Sequence, residues 1–280
     1  MKLSVFFDHV LEAEEQSGMP LQDVLSLCRM NGIEGLEISD RCLREREQEL
    51  RELLPETGVQ ISCIYGSHDL TVPEGLAGAQ AMLRLAERHG VRRVLLVPGA
   101  LPEEQAAALN ALCPEDTGAW MDANPGTLAM RNALRELVAE AHHHQTAVTL
   151  EDFDGPVQPY ARAEQLRWFM TRVPGLKCTL DTGNFAYSDE DVLAGLALLG
   201  QWVAHVHCKD RGAEAGFEGC RFSRGLAPVA VGDGYLPVDA VVRRLKQQGY
   251  RGYLAVEHFG MADQMTAMVR SAKYLTGLIR

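Results

Sequence analysis

The sequence predicts an α/β protein with a single domain, residues 1–280, folded as a (β/α)8 TIM barrel. Three observations indicate this fold class. Short β-rich segments alternate with amphipathic helical segments along the whole chain, as consecutive βαβ units require. The length of 280 residues, with 46% hydrophobic residues, is close to that of one such barrel. Polar residues also stand at the ends of four consecutive predicted strands, where such barrels carry their chemistry.

Eight segments are predicted to be strands because each is short, apolar and β-rich. They span residues 3–7, 35–38, 59–65, 91–97, 147–151, 176–181, 203–207 and 253–257. Residues with helical periodicity fill the intervals. The predicted helices span residues 21–30, 43–54, 75–89, 128–144, 163–172, 189–201 and 238–248, and a closing helix begins at residue 261. Gly32, Gly90 and Gly249 follow three of these helices and are predicted C-caps.

Two longer stretches interrupt this alternation and are predicted to be irregular. Residues 98–125 are rich in Ala, Pro and Asp, and residues 210–237 contain six glycines. Both stretches follow predicted strands. They are therefore expected to overhang the mouth of the barrel, as lids or as dimer contacts in a homo-oligomer.

The net charge of -11 argues against binding of nucleic acid, because no basic stripe offsets the acidic surface. A small-molecule partner fits this composition better. The amino-terminal segment turns acidic after a short apolar run, unlike a signal peptide, and no run of 18 apolar residues predicts a membrane span. Seven scattered cysteines without a C-x-x-C pair predict reduced thiols in the cytoplasm.

Four strand-end residues are predicted to share one divalent-metal site: Glu151, Asp181, His207 and Glu257. The argument depends on strand parity, since alternate side chains of a strand point to opposite faces. In each segment, the residues one and three positions before the candidate ligand are apolar. These pairs are Leu150 and Val148, Leu180 and Cys178, Val206 and Ala204, and Val256 and Leu254. The four polar side chains therefore face the barrel interior.

Three carboxylates and one imidazole form an oxygen-rich ligand set. Such a set suits a hard or borderline cation with octahedral preference. Mn²⁺ is the expected ion, and Mg²⁺, Co²⁺ or Zn²⁺ are alternatives. Two coordination positions would remain for substrate oxygens.

The chain resembles a known family in four motifs: LEDF, LDTGNF, HVHCKDR and the GDGYLPV that precedes GYRGYLAVEH. These motifs are similar to those of the xylose isomerase-like TIM barrels, the sugar phosphate isomerase/epimerase family. The resemblance implies a Glu-Asp-His-Glu metal site at the four positions that parity selects. Many family epimerases carry a histidine where this chain has Asn184. No phosphate loop is recognisable, so phosphorylation of the substrate stays open.

Two glutamates on either side of a metal ion predict proton-transfer chemistry on a sugar or polyol. A hydroxyketone that chelates the ion would lose a carbon-bound proton to give an enediolate. Glu151 and Glu257 are the predicted catalytic acid and base. Return of the proton gives an epimerase or an aldose-ketose isomerase, whereas loss of a β-hydroxyl gives an inosose-type dehydratase. The sequence leaves these outcomes open.

Five further residues are candidates for substrate binding. Glu37, near the end of one predicted strand, and His68, after the next, are expected to point to the mouth and could bind substrate hydroxyls. Asn184 could donate to a substrate oxygen or belong to a turn. Lys209 and Arg211 could hold a substrate carboxylate or phosphate, or pair with Asp210.

His205 lies one layer deeper than His207 and is predicted to be a buried hydrogen-bonded residue behind the metal site.

Two other protein classes are considered and disfavoured. An endonuclease IV-like DNA repair enzyme would need a histidine-rich ligand set and a positive surface, which this sequence lacks. A non-catalytic sugar-binding barrel would be expected to have lost at least one ligand position, and all four are present.

Overall fold

Eight parallel strands close into a barrel in the computed structural model, which describes residues 1–212 and 225–280. The order around the barrel is β1-β10-β7-β6-β5-β4-β3-β2, and β8 and β9 form a separate antiparallel pair. The strands are β1 Lys2–Phe6, β2 Ile33–Ser39, β3 Gln60–Ser67, β4 Arg93–Val97, β5 Ala147–Glu151, β6 Lys177–Asp181, β7 Val203–Cys208, β8 Asp210–Gly212, β9 Ala227–Val229 and β10 Tyr253–Val256. The predicted fold class and all eight barrel strands are confirmed.

Twelve α-helices lie within the described residues. They are α1 Phe7–Ser17, α2 Leu21–Met30, α3 Asp40–Glu45, α4 Glu47–Thr57, α5 Pro73–Arg88, α6 Glu103–Asn110, α7 Pro114–Ala123, α8 Pro125–His143, α9 Ala163–Arg172, α10 Val192–Leu199, α11 Val238–Gln247 and α12 Gln264–Ile279. Helix α11 shows why they cover the barrel, since its buried residues Val238, Val241, Val242 and Leu245 recur at helical spacing along one face. None of these helices has the length and apolar character needed to cross a membrane.

The helix ends agree with the sequence at the predicted glycine caps. Gly32, Gly90 and Gly249 have φ values of 85°, 64° and 78°, a conformation that glycine adopts without a Cβ penalty. The prediction of one helix over 43–54 is wrong, because two helices, α3 and α4, cover this segment and are interrupted at Arg46. The helix predicted at 189–201 is shorter in the structure. Helix α10 spans Val192–Leu199, and a 3₁₀ turn lies on each side of it.

Two segments differ more from the prediction. Residue 7 was expected to end the first strand but begins α1 instead. The stretch 98–125 was expected to be irregular but contains α6, α7 and the start of α8. Two of its prolines begin helices, since Pro114 and Pro125 occupy first-turn positions, where the missing N–H costs nothing. The Asn124 side chain caps α8 by accepting from the backbone N–H groups of Gly126 and Thr127.

The second expected irregular stretch, 210–237, is described only at its two ends. These ends pair with each other as β8 and β9, with Arg211 opposite Pro228. Residues 213–224 lie outside the described residues. A role for either stretch as a lid or dimer contact stays a prediction.

The six cysteines within the described residues are all free thiols, and burial raises the pKa of Cys28 to about 12. Their reduced state in the cytoplasm stays a prediction. Cys220 lies outside the described residues.

Two helical glycines provide a test of packing outside the barrel. A Cβ on Gly75 in α5 would lie 1.8 Å from the backbone oxygen of Asp69, whereas a Cβ on Gly277 in α12 would meet nothing within 4 Å. We expect Gly75→Ala to lower the free energy of unfolding by about 1–3 kcal/mol because the loop before α5 must move. The matched control Gly277→Ala should cause no loss and a gain of up to about 1 kcal/mol. Urea denaturation of both variants checks this, and equal stabilities would contradict the packing described.

Candidate metal centre

The four predicted ligands come together at the carboxyl end of the barrel. Glu151, Asp181 and His207 belong to β5, β6 and β7, and Glu257 directly follows β10. Each offers one ligand atom, and these atoms lie within 4.8 Å of one another. All four side chains are buried, whereas seven of the eight neighbours that parity assigned to the outer face belong to the hydrophobic core, and the eighth, Ala204, is partly buried. The parity argument therefore places the side chains correctly.

The Nδ1 atom of His207 marks the centre of this group. It lies 2.6 Å from Oε1 of Glu151, 3.2 Å from Oε2 of Glu257 and 3.9 Å from Oδ2 of Asp181. Three carboxylates thus surround one imidazole nitrogen, which can carry only one proton. A cation among these four atoms would satisfy all of them at once.

Asp181 shows how the local backbone fixes a ligand. Its Oδ1 accepts from the backbone N–H groups of Gly183 at 2.6 Å and Asn184 at 2.9 Å, so the turn after β6 orients the carboxylate. Its Oδ2 is buried and accepts no hydrogen bond, although Nζ of Lys209 lies 3.3 Å away. A buried carboxylate oxygen without a hydrogen bond, in an oxygen-rich set, fits a divalent cation.

Lys209 supplies the positive charge next to this group. Its Nζ lies 2.5 Å from Oε1 of Glu257 and donates to Oδ1 of Asn184 at 2.7 Å. The amide of Asn184 in turn donates to the backbone oxygen of Asp152 at 2.8 Å. Both ends of the Asn184 amide therefore make hydrogen bonds within the site, and its contact with a substrate stays a prediction.

Glu37 lies deeper than predicted. It was expected to face the mouth, but its side chain is fully buried within β2. Its Oε2 is 2.7 Å from Nε2 of His205, and its Oε1 is 3.1 Å from Nε2 of His207. A proton on Nε2 of His207 would point at this carboxylate and leave Nδ1 for a metal ion, an arrangement that orients many metal-binding histidines. His205 is buried and hydrogen-bonded, as its predicted position behind the site requires.

His68 follows β3 and is partly buried. Its Nε2 lies 3.2 Å from Oδ2 of Asp40, which also accepts from Arg44. Within the described ranges, no contact joins His68 to the four ligands. Its role in substrate binding stays a prediction.

The two glutamates have opposite pKa shifts. Burial raises the pKa of Glu151 to about 8, although His207 opposes this shift. Burial also disfavours the charge of Glu257, but Lys209 and His207 outweigh it and hold the pKa of that carboxyl well below its usual value. Burial lowers the pKa of His207, yet Glu37 and Glu151 raise it well above its usual value. A bound divalent cation would favour the ionised form of every carboxyl group here.

A cleft of about 330 Å³ opens beside the ligands. Glu257, Lys209 and Arg211 line it together with apolar side chains that include Leu226, Pro228 and Phe259. A larger cavity of about 620 Å³ lies between the start of β7 and the end of α11, at the opposite end of the barrel. We assign the site to the smaller cleft because it borders the ligand cluster and lies at the carboxyl ends of the strands.

Two residues at this site were missed by sequence reasoning. Oδ1 of Asp152 accepts from the backbone N–H of Asp181 at 2.9 Å and so joins β5 to β6. His258 stacks on His9 with ring centroids 4.5 Å apart, and its backbone N–H donates to Nε2 of His9. Both directly follow predicted ligands in the sequence, and this adjacency was the only available signal.

The family is shown by comparison with known proteins. The model of the xylose isomerase-like TIM barrel family matches residues 25–278. The chain therefore belongs to this family, as its motifs predicted. No curated protein sequence is significantly similar to the chain.

Solved structures with the same fold cover nearly all of the chain. The probable 3-DHS dehydratase AsbF from Bacillus anthracis has a TM-score of 0.72 and 18% identity, with 99% of both chains covered. The 3-keto-D-glucoside 4-epimerase YcjR from E. coli has a TM-score of 0.70 and 19% identity, covering 100% of this chain and 99% of that one. The IOLI protein, solved with a zinc atom, has a TM-score of 0.71 and 18% identity, covering 100% and 98%. At these identities the likeness establishes the fold.

Glu37 can be tested apart from the four ligands. We expect Glu37→Gln to weaken Mn²⁺ binding by about 10- to 100-fold, because the imidazole of His207 loses the carboxylate that orients it. Titration with Mn²⁺, followed by calorimetry, measures this change. Glu34→Gln is the matched control, since Glu34 lies on the same strand but is partly exposed near Lys2. Equal affinities for the two variants would show that Glu37 does not support the site.

Proposed function

We propose that this protein is a metal-dependent isomerase or epimerase that acts on a sugar, a sugar phosphate or a related polyol ketone. The convergence of Glu151, Asp181, His207 and Glu257 within 4.8 Å, in a buried site beside a cleft, carries this proposal. These side chains would hold the cation, with Mn²⁺ as the proposed ion. The ion would polarise a substrate carbonyl and stabilise negative charge on its oxygen.

The two glutamates are the proposed proton carriers. They come from β5 and from the end of β10, which β6 and β7 separate in the barrel, so their carboxylates approach the centre from different sides. One carboxylate would take the proton from the carbon next to the carbonyl, and the other would return a proton to the opposite face. That sequence inverts the carbon. Return of the proton to the neighbouring carbon would interconvert an aldose and a ketose.

Lys209 supports this proposal through its position. Its ammonium contacts Glu257 and Asp181, so it favours the ionised state of both carboxylates. An ionised Glu257 can accept a proton. The burial of the cluster also limits access of bulk water, which strengthens electrostatic interactions with a bound substrate.

Dehydration is the second candidate reaction. It begins with the same removal of a proton next to a carbonyl and differs only in the loss of a β-hydroxyl group. The probable dehydratase from Bacillus anthracis has the same fold, as does the keto-glucoside epimerase. The two reactions give different products from one panel of ketoses and inososes. NMR in heavy water with added Mn²⁺ distinguishes an exchanged or inverted carbon from a dehydrated product.

Replacement of the proposed proton carriers tests the mechanism. We expect Glu257→Gln and Glu151→Gln each to slow deuterium exchange into a substrate by about 10²- to 10⁴-fold, because an amide cannot accept the proton. Metal content must be measured in the same samples, since both residues are also proposed ligands. Glu34→Gln should exchange at the wild-type rate. Exchange that persists in both active-site variants with metal bound would remove these residues from the proton-transfer role.

Removal of the metal ion tests the ligand cluster itself. We expect EDTA to abolish exchange and to lower the melting temperature, and added Mn²⁺ to restore both. An ion bound only by the folded protein stabilises it by about 2.7 kcal/mol at a free concentration of 100 Kd. Asp181→Asn should lose this metal-dependent rise in melting temperature. Identical melting curves with and without EDTA would rule out a metal ion bound at this site.

A further inference from the structure

Arg211 lies at the cleft but is separate from the proposed ligands. It belongs to β8, four residues after His207, and only 5% of its surface is exposed. Its side chain lines the same cleft as Glu257 and Lys209. A buried guanidinium is costly unless it is paired, because it remains charged at any ordinary pH. The partner of Arg211 therefore bears on what the cleft binds.

Asp210 is not that partner, although the sequence left this pairing open. The Asp210 carboxylate accepts four backbone N–H groups, at distances between 2.9 and 3.2 Å. The donors are Arg211, Gly232, Gly234 and Leu236. This carboxylate is thus used to tie β8 to the GDG loop. Within residues 1–212 and 225–280, no carboxylate forms an ion pair with the Arg211 side chain.

The guanidinium is held in place by neutral groups. Its Nη1 donates to the backbone oxygen of Leu226 at 3.0 Å, and its Cζ lies over the ring of Tyr187, 5.1 Å from the centroid. Its Nε atom is buried and has no hydrogen-bond partner among the described residues. One edge of a fixed, planar, charged donor group is therefore left for a ligand.

The neighbouring cation does not compete for that ligand. Lys209 already contacts Glu257, Asp181 and Asn184, so its charge is used within the proposed metal centre. Of the two cationic side chains that line the cleft, Arg211 is the one that forms no ion pair with a carboxylate among the described residues.

We propose that Arg211 binds a carboxylate group of the substrate, so that the substrate is a hydroxy-keto acid of the sugar or polyol class. This inference rests on the proposed function, because it places the reacting hydroxycarbonyl at the ligand cluster and the carboxylate at Arg211 in the same cleft. A guanidinium fork matches the two oxygens and single negative charge of a carboxylate.

A phosphate is the less suitable anion here. Phosphate sites usually add backbone N–H groups from glycine-rich loops or helix starts. The glycine loop next to Arg211 cannot supply them at Gly232 and Gly234, since both N–H groups already donate to Asp210. Among the residues that the structure describes, Arg211 is the one arginine lining the cleft, which favours the singly charged anion.

Binding measurements with matched compounds test this inference without requiring turnover. The probes are glycerate, threonate and gluconate, their neutral counterparts glycerol, threitol and glucitol, and glycerol 3-phosphate. Each is titrated by calorimetry into the wild-type protein with Mn²⁺ and with EDTA. We expect at least one carboxylate to bind more tightly than its alcohol. Arg211→Leu should weaken that carboxylate by about 10- to 100-fold and leave the alcohols unchanged.

Two further variants separate a specific role from a structural one. Arg211→Lys keeps the charge but not the fork, so it should give an intermediate preference for carboxylate. Arg88→Leu, at an exposed position in α5, should behave as wild type. Mn²⁺ affinity is measured for each variant and should not change, because Arg211 contacts none of the proposed ligands.

Several outcomes would overturn the inference. The first is equal binding of every carboxylate and its alcohol. The second is a preference for carboxylate that survives in Arg211→Leu, which would mean that the carboxylate binds the metal ion instead. The third is Arg211-dependent binding that is tightest for glycerol 3-phosphate. Failure of the proposed function looks different. An Arg211-dependent preference for carboxylate without deuterium exchange in any substrate would support this inference and reject isomerase chemistry.

Discussion

The burial of like charges around His207 is the constraint on which the rest of the site depends. Glu151, Asp181 and Glu257 come within hydrogen-bonding or ion-pairing distance of one imidazole nitrogen, and Glu37 contacts the other. Carboxylates that are buried together repel one another and lose hydration. With His207 as a neutral ligand, the ammonium of Lys209 contacts two of these four carboxylates, those of Asp181 and Glu257. A divalent cation is the charge that this cluster lacks.

The fold resists this repulsion by fixing the ligands through the backbone. Asp152 accepts from the N–H of Asp181, and Asn184 spans from Asp152 to Lys209. Thr182 adds a second connection, because its hydroxyl donates to the backbone oxygen of Lys209 at 2.6 Å and accepts from its N–H at 2.9 Å. These bonds join the ends of β5, β6 and β7. The carboxylates therefore cannot move apart without breaking buried hydrogen bonds, which are costly to leave unmade.

Local patterns were enough to predict the barrel strands and the four-residue cluster, because both depend on alternation within single strands. They were not enough for Glu37. Its depth depends on how strands are staggered around a closed barrel, and the pairing of β2 with β3 shifts register between Leu36 and Glu37. No local pattern reports such a shift. The partnership of Asn184 with Lys209, 25 residues apart, likewise arises only when neighbouring strand ends meet.

Proline was misread for a different reason. Pro114 and Pro125 were taken as marks of irregular structure, although proline suits the first turn of a helix as well as a loop. The deciding signal for α8 was Asn124, whose side chain accepts from two N–H groups at the helix start. A cap residue followed by proline predicts a helix start more strongly than proline alone predicts a loop.

Glu257 of the ligand cluster and Arg211 line the same cleft, and this arrangement bears on which reaction occurs. A substrate bound both by a cation at the ligand cluster and by the Arg211 guanidinium would not slide freely along the cleft. The number of carbons between its carboxylate and its carbonyl would then determine which C–H bond lies beside Glu151 or Glu257. Inversion, isomerisation and dehydration differ in which carbon or oxygen next receives a proton. The choice among them therefore depends on substrate length and anchoring as much as on the two glutamates, which all three reactions would share.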